Sequence, residues 1–594
     1  IFRLILHFYL ILQVYYYTQD PIMLKKLLLL TIFIFSQIGF SQLSNKHWLP
    51  PLHARDAGVV REHYIYLSTP EPTPFQVTIT NGEGTPIVGS PYTISQGNPV
   101  QILIGNGQNT TMFSTIGDTY GVRNRKGIIL EGSNDFYVSF RVRSENHAET
   151  LVSKGRSGIG NSFRAGSLPQ DYDGFTRNFV TSFMATEDNT IVNISDYNTN
   201  VEFVSGSGNV TLDNLTYNLN AGESVILSGY TDVNANLSGF VGALITSDKP
   251  IAVSTGNALA GMGDEGQGQD FNFDQIVPIE QVGTEYIVVK GNGSNLTEKP
   301  LVIATENNTQ IYINGSATPL VTLNAGEYHL IPTSFYQGAA NQNMYITSNK
   351  PVYLYQILAG DISDATSGLN FIPPLSCFFQ KTVDLIPNVD SIGNYPFSSE
   401  IIALTYATAT LTVNGIPTTE MAEPVLGKSQ WVTYTIPGVT GNAVIQSTSP
   451  LAIGVFGFNF NDKVDYSDIA SFGWKNIGVG TNFLLVPQNS SLLIEGVFAY
   501  SNYRIDFKNP KLLFTPNIKN VLNEYYSYYP LKSDSLNKGL DTVMNKVDGK
   551  SNMSMYITDY FIKLLHNREI VNNTEAYAYY LEKYILNQKY KISD

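Results

Sequence analysis

The chain has 594 residues, with 36 Lys and Arg against 50 Asp and Glu, a formal charge of −14. Charged residues are 14% of the total, well below the roughly 25% usual in soluble domains, and the acidic balance argues against nucleic-acid binding, which needs basic stripes to displace phosphate counterions. The single cysteine, Cys377, excludes an internal disulfide framework, a Cys-x-x-Cys redox pair and a thiolate zinc site. At the C-terminal end, residues 491–594 hold 13 Lys and Arg against 11 Asp and Glu, so residues 1–490 hold 23 against 39. Only Gly539 and Gly549, of 49 glycines, lie beyond residue 500. These shifts predict two unlike parts.

The chain begins at Ile1, and residues 1–22 read as translated upstream sequence. From Met23, the run MLKKLLLLTIFIFSQIGFSQ has the form of a signal peptide over 23–41. Lys25 and Lys26 are its positive region, Leu27 to Phe35 its apolar run, and Gly39 and Ser41 its small residues before cleavage. That apolar run is too short to span a bilayer as a helix. The mature chain is expected to start near Gln42, and with no cysteine at that point a lipoprotein is not expected. This reading places the protein outside the cell, secreted or on the outer surface.

Between about 60 and 460, short runs of Val, Ile, Tyr, Phe and Thr alternate with polar residues and are separated by Gly, Asn, Asp and Pro clusters, which predicts an all-β region. Its landmarks recur in order. Pro50-Pro51-Leu52, Val277-Pro278-Ile279 and Pro373-Pro374-Leu375 lead in. Ala185-Thr186-Glu187-Asp188-Asn189-Thr190 and Ala304-Thr305-Glu306-Asn307-Asn308-Thr309 each open a strand, and Tyr406 to Thr410 holds the corresponding place further on. Leu219-Asn220-Ala221-Gly222-Glu223 and Leu323-Asn324-Ala325-Gly326-Glu327 form a turn, with Gly97 and Gly427 expected to mark it in the outer copies. Thr246-Ser247-Asp248-Lys249-Pro250 and Thr347-Ser348-Asn349-Lys350-Pro351 then read as hairpin turns in which proline withholds a ladder donor. Ser447-Thr448-Ser449-Pro450 is a weaker copy, and Glu131 to Asp135 an earlier one without proline. Pro250, Pro351 and Pro450 are 101 and 99 residues apart.

These landmarks define four degenerate repeats of about 100 residues, near 60–145, 175–260, 285–360 and 395–460, within a β-array over 42–485. Tandem sandwiches, or one propeller-like closure, would satisfy the pattern equally. The same ordered motifs, with Ser153-Lys154-Gly155 and Gly160-Asn161-Ser162-Phe163-Arg164-Ala165-Gly166, resemble the N-terminal domain of the IgGFc-binding protein family over about 45–480. The resemblance implies an extracellular binding or adhesion module of the kind found in secreted and surface proteins of Bacteroidetes. It does not carry an antibody ligand to this chain.

After the proline unit of each repeat comes a long polar stretch, expected to form one binding face. Its candidate residues are Asp264, Glu265, Asp270, Asn272 and Asp274, then Asp361 and Asp364, then Asp462, Asp465 and Asp468. Asp270-x-Asn272-x-Asp274 would suit oxygen ligation of calcium, although an EF-hand's glycine and terminal glutamate are missing. No His-Glu-x-x-His pair or nucleophile elbow occurs, and Cys377 sits in apolar surroundings that predict an inert thiol.

From about 500 the period turns helical, with Thr515-Pro516 opening a first helix and Glu575 to Lys589 reading as the last. Asp506 to Pro516 resembles the helical domain that precedes thioredoxin in Bacteroidetes thioredoxin-like lipoproteins. No dithiol follows to carry a redox role. A junction near 480–500, from gene fusion or from assembly of the sequence, would account for the change. The chain is thus expected to be a non-enzymatic, exported binding or adhesion protein that contacts a surface glycan or a protein, needs no cofactor unless Asp270, Asn272 and Asp274 hold calcium, and has no membrane span after signal cleavage. A carbohydrate-active enzyme and a structural envelope component are the alternatives; paired carboxylates in a cleft would mark the first.

Overall fold

A computed structural model describes residues 43–474 apart from 54–59, 88, 145–146, 170–177, 263–269, 292–296, 359–367, 376–378 and 459–470, together with scattered positions between 541 and 586. The chain divides into two compact units, Ile1–Asn482 and Phe483–Asp594.

The described part of the first unit is mainly β, broken only by turns and short 3-10 helices, and its repeats share one plan. The organising element is a long strand: Ile128–Arg143, Leu244–Ala260 and Asn343–Leu358 in the first three repeats. Its first half pairs with two strands of one sheet, its second half with two strands of another. In the second repeat, for example, Ile194 lies opposite Ile245, while Phe183 lies opposite Val253. Two four-stranded sheets are therefore joined along one shared strand.

The Thr-Ser-Asx-Lys-Pro unit is where that strand changes sheets, and not a hairpin turn. Gly160 faces Ile251, but Ser162 already faces Thr246, so residues 247–250 bulge out of register. The third repeat does the same between Gly283, opposite Val352, and Glu285, opposite Thr347. A proline, having no N–H for the ladder, is tolerated at such a bulge, and a bulged strand bends enough to cross between packed sheets. In the fourth repeat the strand breaks into Ala443–Ser447 and Ala452–Phe458 on either side of Pro450.

The other recurring motifs converge on this bulge. Lys249 donates to the Asp188 carbonyl, and Lys350 to the Asn307 carbonyl at 2.6 Å. The Asp248 carboxylate accepts the Ile191 N–H at 2.7 Å, and the Asn349 amide oxygen accepts that of Gln310 at 2.8 Å. Asp188 and Asn307 in turn accept the N–H of Ala221 and Ala325, each at 3.0 Å, within the Asn-Ala-Gly-Glu turn. Thr186 and Thr305 hydroxyls close the knot on the Pro250 and Pro351 carbonyls. Asn189 and Asn308 hold left-handed backbone at φ 55° and 58°, a conformation asparagine tolerates better than most residues. Three motifs spread over some 60 residues are one hydrogen-bonded cluster.

Each strand Ala148–Val152, Asp270–Ile276, Gly368–Ile372 and Ser471–Trp474 is the last of its repeat, and pairs with the end of the long strand or its counterpart. These four inner strands pack in cyclic order, each against the next and the last against the first. The apolar cores are continuous across the seams. Phe271 and Phe273 join the first repeat's core, Tyr353, Tyr355 and Phe371 join the second's, and Tyr137 and Val152 join the fourth's. Ile287 and Tyr345 pack with Leu404 and Trp431 between the third and fourth. The two closures left open by the sequence are thus combined: four small two-sheet units close around one axis.

At the outer seams backbones touch. A Cβ at Gly222 would lie 2.0 Å from the Gly82 carbonyl oxygen, and one at Gly242 would lie 1.9 Å from that of Gly326. Gly222, Gly326, Gly97 and Gly427 all adopt positive φ, between 75° and 85°, so the turn recurs in all four repeats.

In the second unit, the described side chains form one small cluster. Asp541 accepts hydrogen bonds from Tyr579 and Lys583, each at 2.7 Å, and from Tyr584. Of the helical stripes expected over 500–594, Ile557, Tyr560 and Phe561 and residues 579–586 are described and helical, and the remainder lies outside the described residues. Among the described residues no helix is long and apolar enough to cross a membrane.

Candidate functional site

The four inner strands begin at one end of the ring, where Phe456 before the fourth packs with Leu358 before the third. Side-by-side contacts fix this sense: Ala148 donates its N–H to Asp270 at 2.9 Å, Phe273 to Glu149 at 3.3 Å, and Phe371 to Asp274 at 2.9 Å. The strands Glu62–Ser68, Asn178–Ala185 and Leu301–Ala304 begin at the same end. Glu62 pairs with Arg143 at 2.7 Å, Asn178 lies opposite Leu259, and Leu301 lies opposite Tyr355, all close to that end. The described strand ends that bound seven connections, four between paired strands and three leading in, therefore lie at one end of the ring, its loop face.

Of the predicted site residues, only Asp270, Asn272 and Asp274 fall among the described residues. Asp264, Glu265, Asp361, Asp364, Asp462, Asp465 and Asp468 lie outside the described residues, as does Cys377. Asp270, Asn272 and Asp274 do not lie in an exposed loop: they belong to the strand Asp270–Ile276 and are fully buried. Asp270 Oδ1 accepts the N–H of Ala148 and of Phe271, and stands 3.6 Å from His147 Nδ1. Asp274 Oδ2 accepts the Phe371 N–H, while its Oδ1 stands 3.4 Å from Lys154 Nζ. Asn272 donates to the Ala260 and Asp270 carbonyls at 3.1 and 2.7 Å.

A buried carboxylate is tolerated only when paired or hydrogen-bonded, and here the donors are backbone groups of neighbouring repeats. Glu149 of the first repeat and Asp270 of the second exchange caps, each accepting from the other's strand. Strands that meet edge-on around an axis have no common ladder, so carboxylates satisfy N–H groups that a sheet partner would otherwise take. The signal for a strand was present in the alternation Asp-Phe-Asn-Phe-Asp-Gln, whose two phenylalanines face the first repeat's core. Among the described residues no three His, Cys, Asp or Glu side chains converge as a metal would require.

Sequence reasoning missed Lys154, Glu149 and His47 as parts of this system. Lys154 is 2% exposed, and besides facing Asp274 its backbone N–H donates to Gln275 Oε1 at 2.6 Å. Gln275 continues to the Trp48 carbonyl at 2.7 Å. His47 bridges Ser153 on one ring nitrogen and the Ser44 and Phe136 carbonyls on the other, and burial pushes its pKa down to about 4. The only available pointer was the Ser153-Lys154-Gly155 motif itself.

Compared with known families, residues 148–457, more than half of the chain, match the family described as IgGFc binding protein. The chain belongs to the IgGFc-binding protein family. This is a family of extracellular binding proteins, generally non-enzymatic, so a protein-binding role follows for the β-array. The matched segment does not include 500–594, and the thioredoxin-associated resemblance of those residues gains no support. No curated protein matches the chain. The recurring motifs form the knots and seams of the ring and so build its scaffold.

Proposed function

We propose that this chain is a non-catalytic adhesion protein of the cell exterior that contacts a protein ligand through the loop face of its four-repeat ring. The observation that carries this reading is that the strand ends bounding seven connections gather at one end of a ring whose inner strands are cross-capped by buried carboxylates. Rigid strands that deliver several connections to one surface are the common physical plan of binding scaffolds. The signal-like segment at 23–41 supports export. A surface glycan is the second ligand class, favoured by the polar composition of residues 263–269, 359–367 and 459–470.

The test is an array of extracellular proteins and glycans probed with the full chain. Protein spots bound with micromolar or better Kd support the reading. Glycan-only binding would redirect it, and no signal above background at micromolar concentration would overturn it. Replacing the segments 263–269 and 359–367 with Gly-Ser linkers of equal length should abolish binding while leaving thermal unfolding unchanged.

A further inference from the structure

Directly beneath the loop face, the seam between the third and fourth repeats is under-filled. The second repeat's seam is filled by Tyr353 and Tyr355 of the third, two and four residues after Pro351. At the same offsets from Pro450 the fourth repeat carries Ala452 and Gly454. The result is a cavity of about 50 Å³ whose walls include Ile287, Ile372, Leu404 and Ala452. Its height in the fold follows from register: Gln356 and Asn370 are opposite each other two residues below the hairpin tip bounded by Leu358 and Gly368. Val289, Leu358, Ile402 and Phe456 pack together beside it.

One of the lining residues, Asn370, carries an unmet demand. Asn370 is 2% exposed, and its Oδ1 has no hydrogen-bond partner among the described residues. Leaving such an acceptor unmade costs about 1–3 kcal/mol. A cavity of this size exceeds the ~10–15 Å³ needed by one water and falls short of the ~150 Å³ that accommodates benzene. The group that fits is short and branched, with an apolar arm for the walls and one donor for Asn370.

We propose that this cavity is an anchor pocket for one threonine side chain of the partner polypeptide, its methyl group against Ala452 and Ile372 and its hydroxyl donating to Asn370 Oδ1. The proposal rests on the loop-face reading and names what that face grips. Buried anchors of this kind carry a disproportionate share of interface energy, and a site built to hydrogen-bond a hydroxyl discriminates strongly against the isostere that lacks it.

The experiment uses the full chain and three probes, the N-acetyl methylamides of L-threonine, L-valine and L-phenylalanine, with affinity measured by ligand-observed NMR titration. Threonine amide should bind at least tenfold more tightly than valine amide, and phenylalanine amide should not compete. Asn370→Leu, which removes the unpaired acceptor and should not lower the unfolding temperature, should erase or reverse the threonine preference. Ala452→Leu, which fills the pocket, should abolish binding of both small probes; Ala452→Val serves the same purpose should the leucine variant fail to fold. Equal binding of threonine and valine amides, undiminished binding by either folded Ala452 variant, or no binding of any probe would overturn the proposal. If a protein ligand from the array binds wild type and Ala452→Val equally, the pocket fails while the loop-face function stands. If threonine amide binds as stated but the array is silent, the loop-face function fails and the pocket remains.

Discussion

Arg141 Nη1 donates to the carbonyl oxygen of Ser391 at 2.8 Å, joining the first repeat to the fourth across 250 residues of chain. The same guanidinium donates to Asn388 at 2.7 Å and Pro387 at 2.5 Å, and stacks 3.6 Å above the ring of Tyr66. The other seams combine apolar packing and close glycine turns with carboxylate caps and ion pairs; this one adds a buried cation on a cluster of carbonyls. Arginine suits it because its planar fork addresses several acceptors at once and is less strongly hydrated than an ammonium.

Arg141→Met should therefore destabilise the first unit by about 3 kcal/mol or more, since charge-assisted hydrogen bonds contribute roughly 1.5–3 kcal/mol and three carbonyls lose their donor. Arg141→Lys should recover only part of that loss. Urea denaturation followed by tryptophan fluorescence measures both; a loss below 1 kcal/mol for the methionine variant would show that the seam closes without the arginine.

Acid should open the ring before it unfolds ordinary carboxylate pairs. His47 and His63 are both buried, and burial holds each at about 4 against a usual 6.5. A folded pKa below the unfolded one means that stability is complete above pH 6.5 and is lost as pH falls towards 4. Each histidine accounts for roughly 3 kcal/mol over that window at 1.36 kcal/mol per pH unit. His47→Gln, which keeps a donor and an acceptor without titrating, should flatten about half of the pH dependence in denaturation curves between pH 7 and 4. An unchanged slope would place the acid sensitivity elsewhere.

Lys154 and Asp274 form a buried pair at 3.4 Å, both at most 2% exposed. Removing one partner leaves an uncompensated charge, so Lys154→Met or Asp274→Leu alone should cost about 3–5 kcal/mol. The double replacement should be much milder than the two losses combined. A double-mutant cycle of unfolding free energies checks this, and additive losses would show that the two charges do not communicate.

Calcium chelation should leave the unfolding temperature unchanged, because Asp270 and Asp274 engage backbone N–H groups of adjacent repeats. Asp270→Asn, which keeps an acceptor for Ala148, should cost about 1 kcal/mol; Asp270→Ala, which leaves that N–H unpaired, should cost about 2–3 kcal/mol. A chelator-induced drop of several degrees, reversed by calcium, would restore the cation reading of Asp270, Asn272 and Asp274.

Much of the scaffold was legible in the sequence because its determinants are local. Period-two alternation marked the strands, and the proline spacing marked the repeats. The left-handed turns showed themselves at Gly222 and Gly326, where only residues free of a Cβ clash serve. The knots were visible as motifs but not as knots, since Asp188, Ala221 and Lys249 meet only when three turns fold together. From sequence alone the Thr-Ser-Asx-Lys-Pro unit reads as a hairpin, because a polar, proline-containing interruption between two alternating runs has the same local chemistry in a turn and in a bulge. Register decides between them, and register is a property of the partner strand.

The Asp-Phe-Asn-Phe-Asp segment shows the same division. Its alternation is local and reads as a strand, but acidic side chains bias any sequence reading towards solvent or a cation. Burial became affordable only because Ala148 and Phe371, distant in the chain, present N–H groups that those carboxylates can accept. By itself the sequence determined the β class, the fourfold repetition and the family. Which residues face the axis, which seam is latched by Arg141 and which is left open at Ala452 were decided by tertiary structure, because each depends on the volume and hydrogen-bonding groups that a neighbouring repeat brings to the seam.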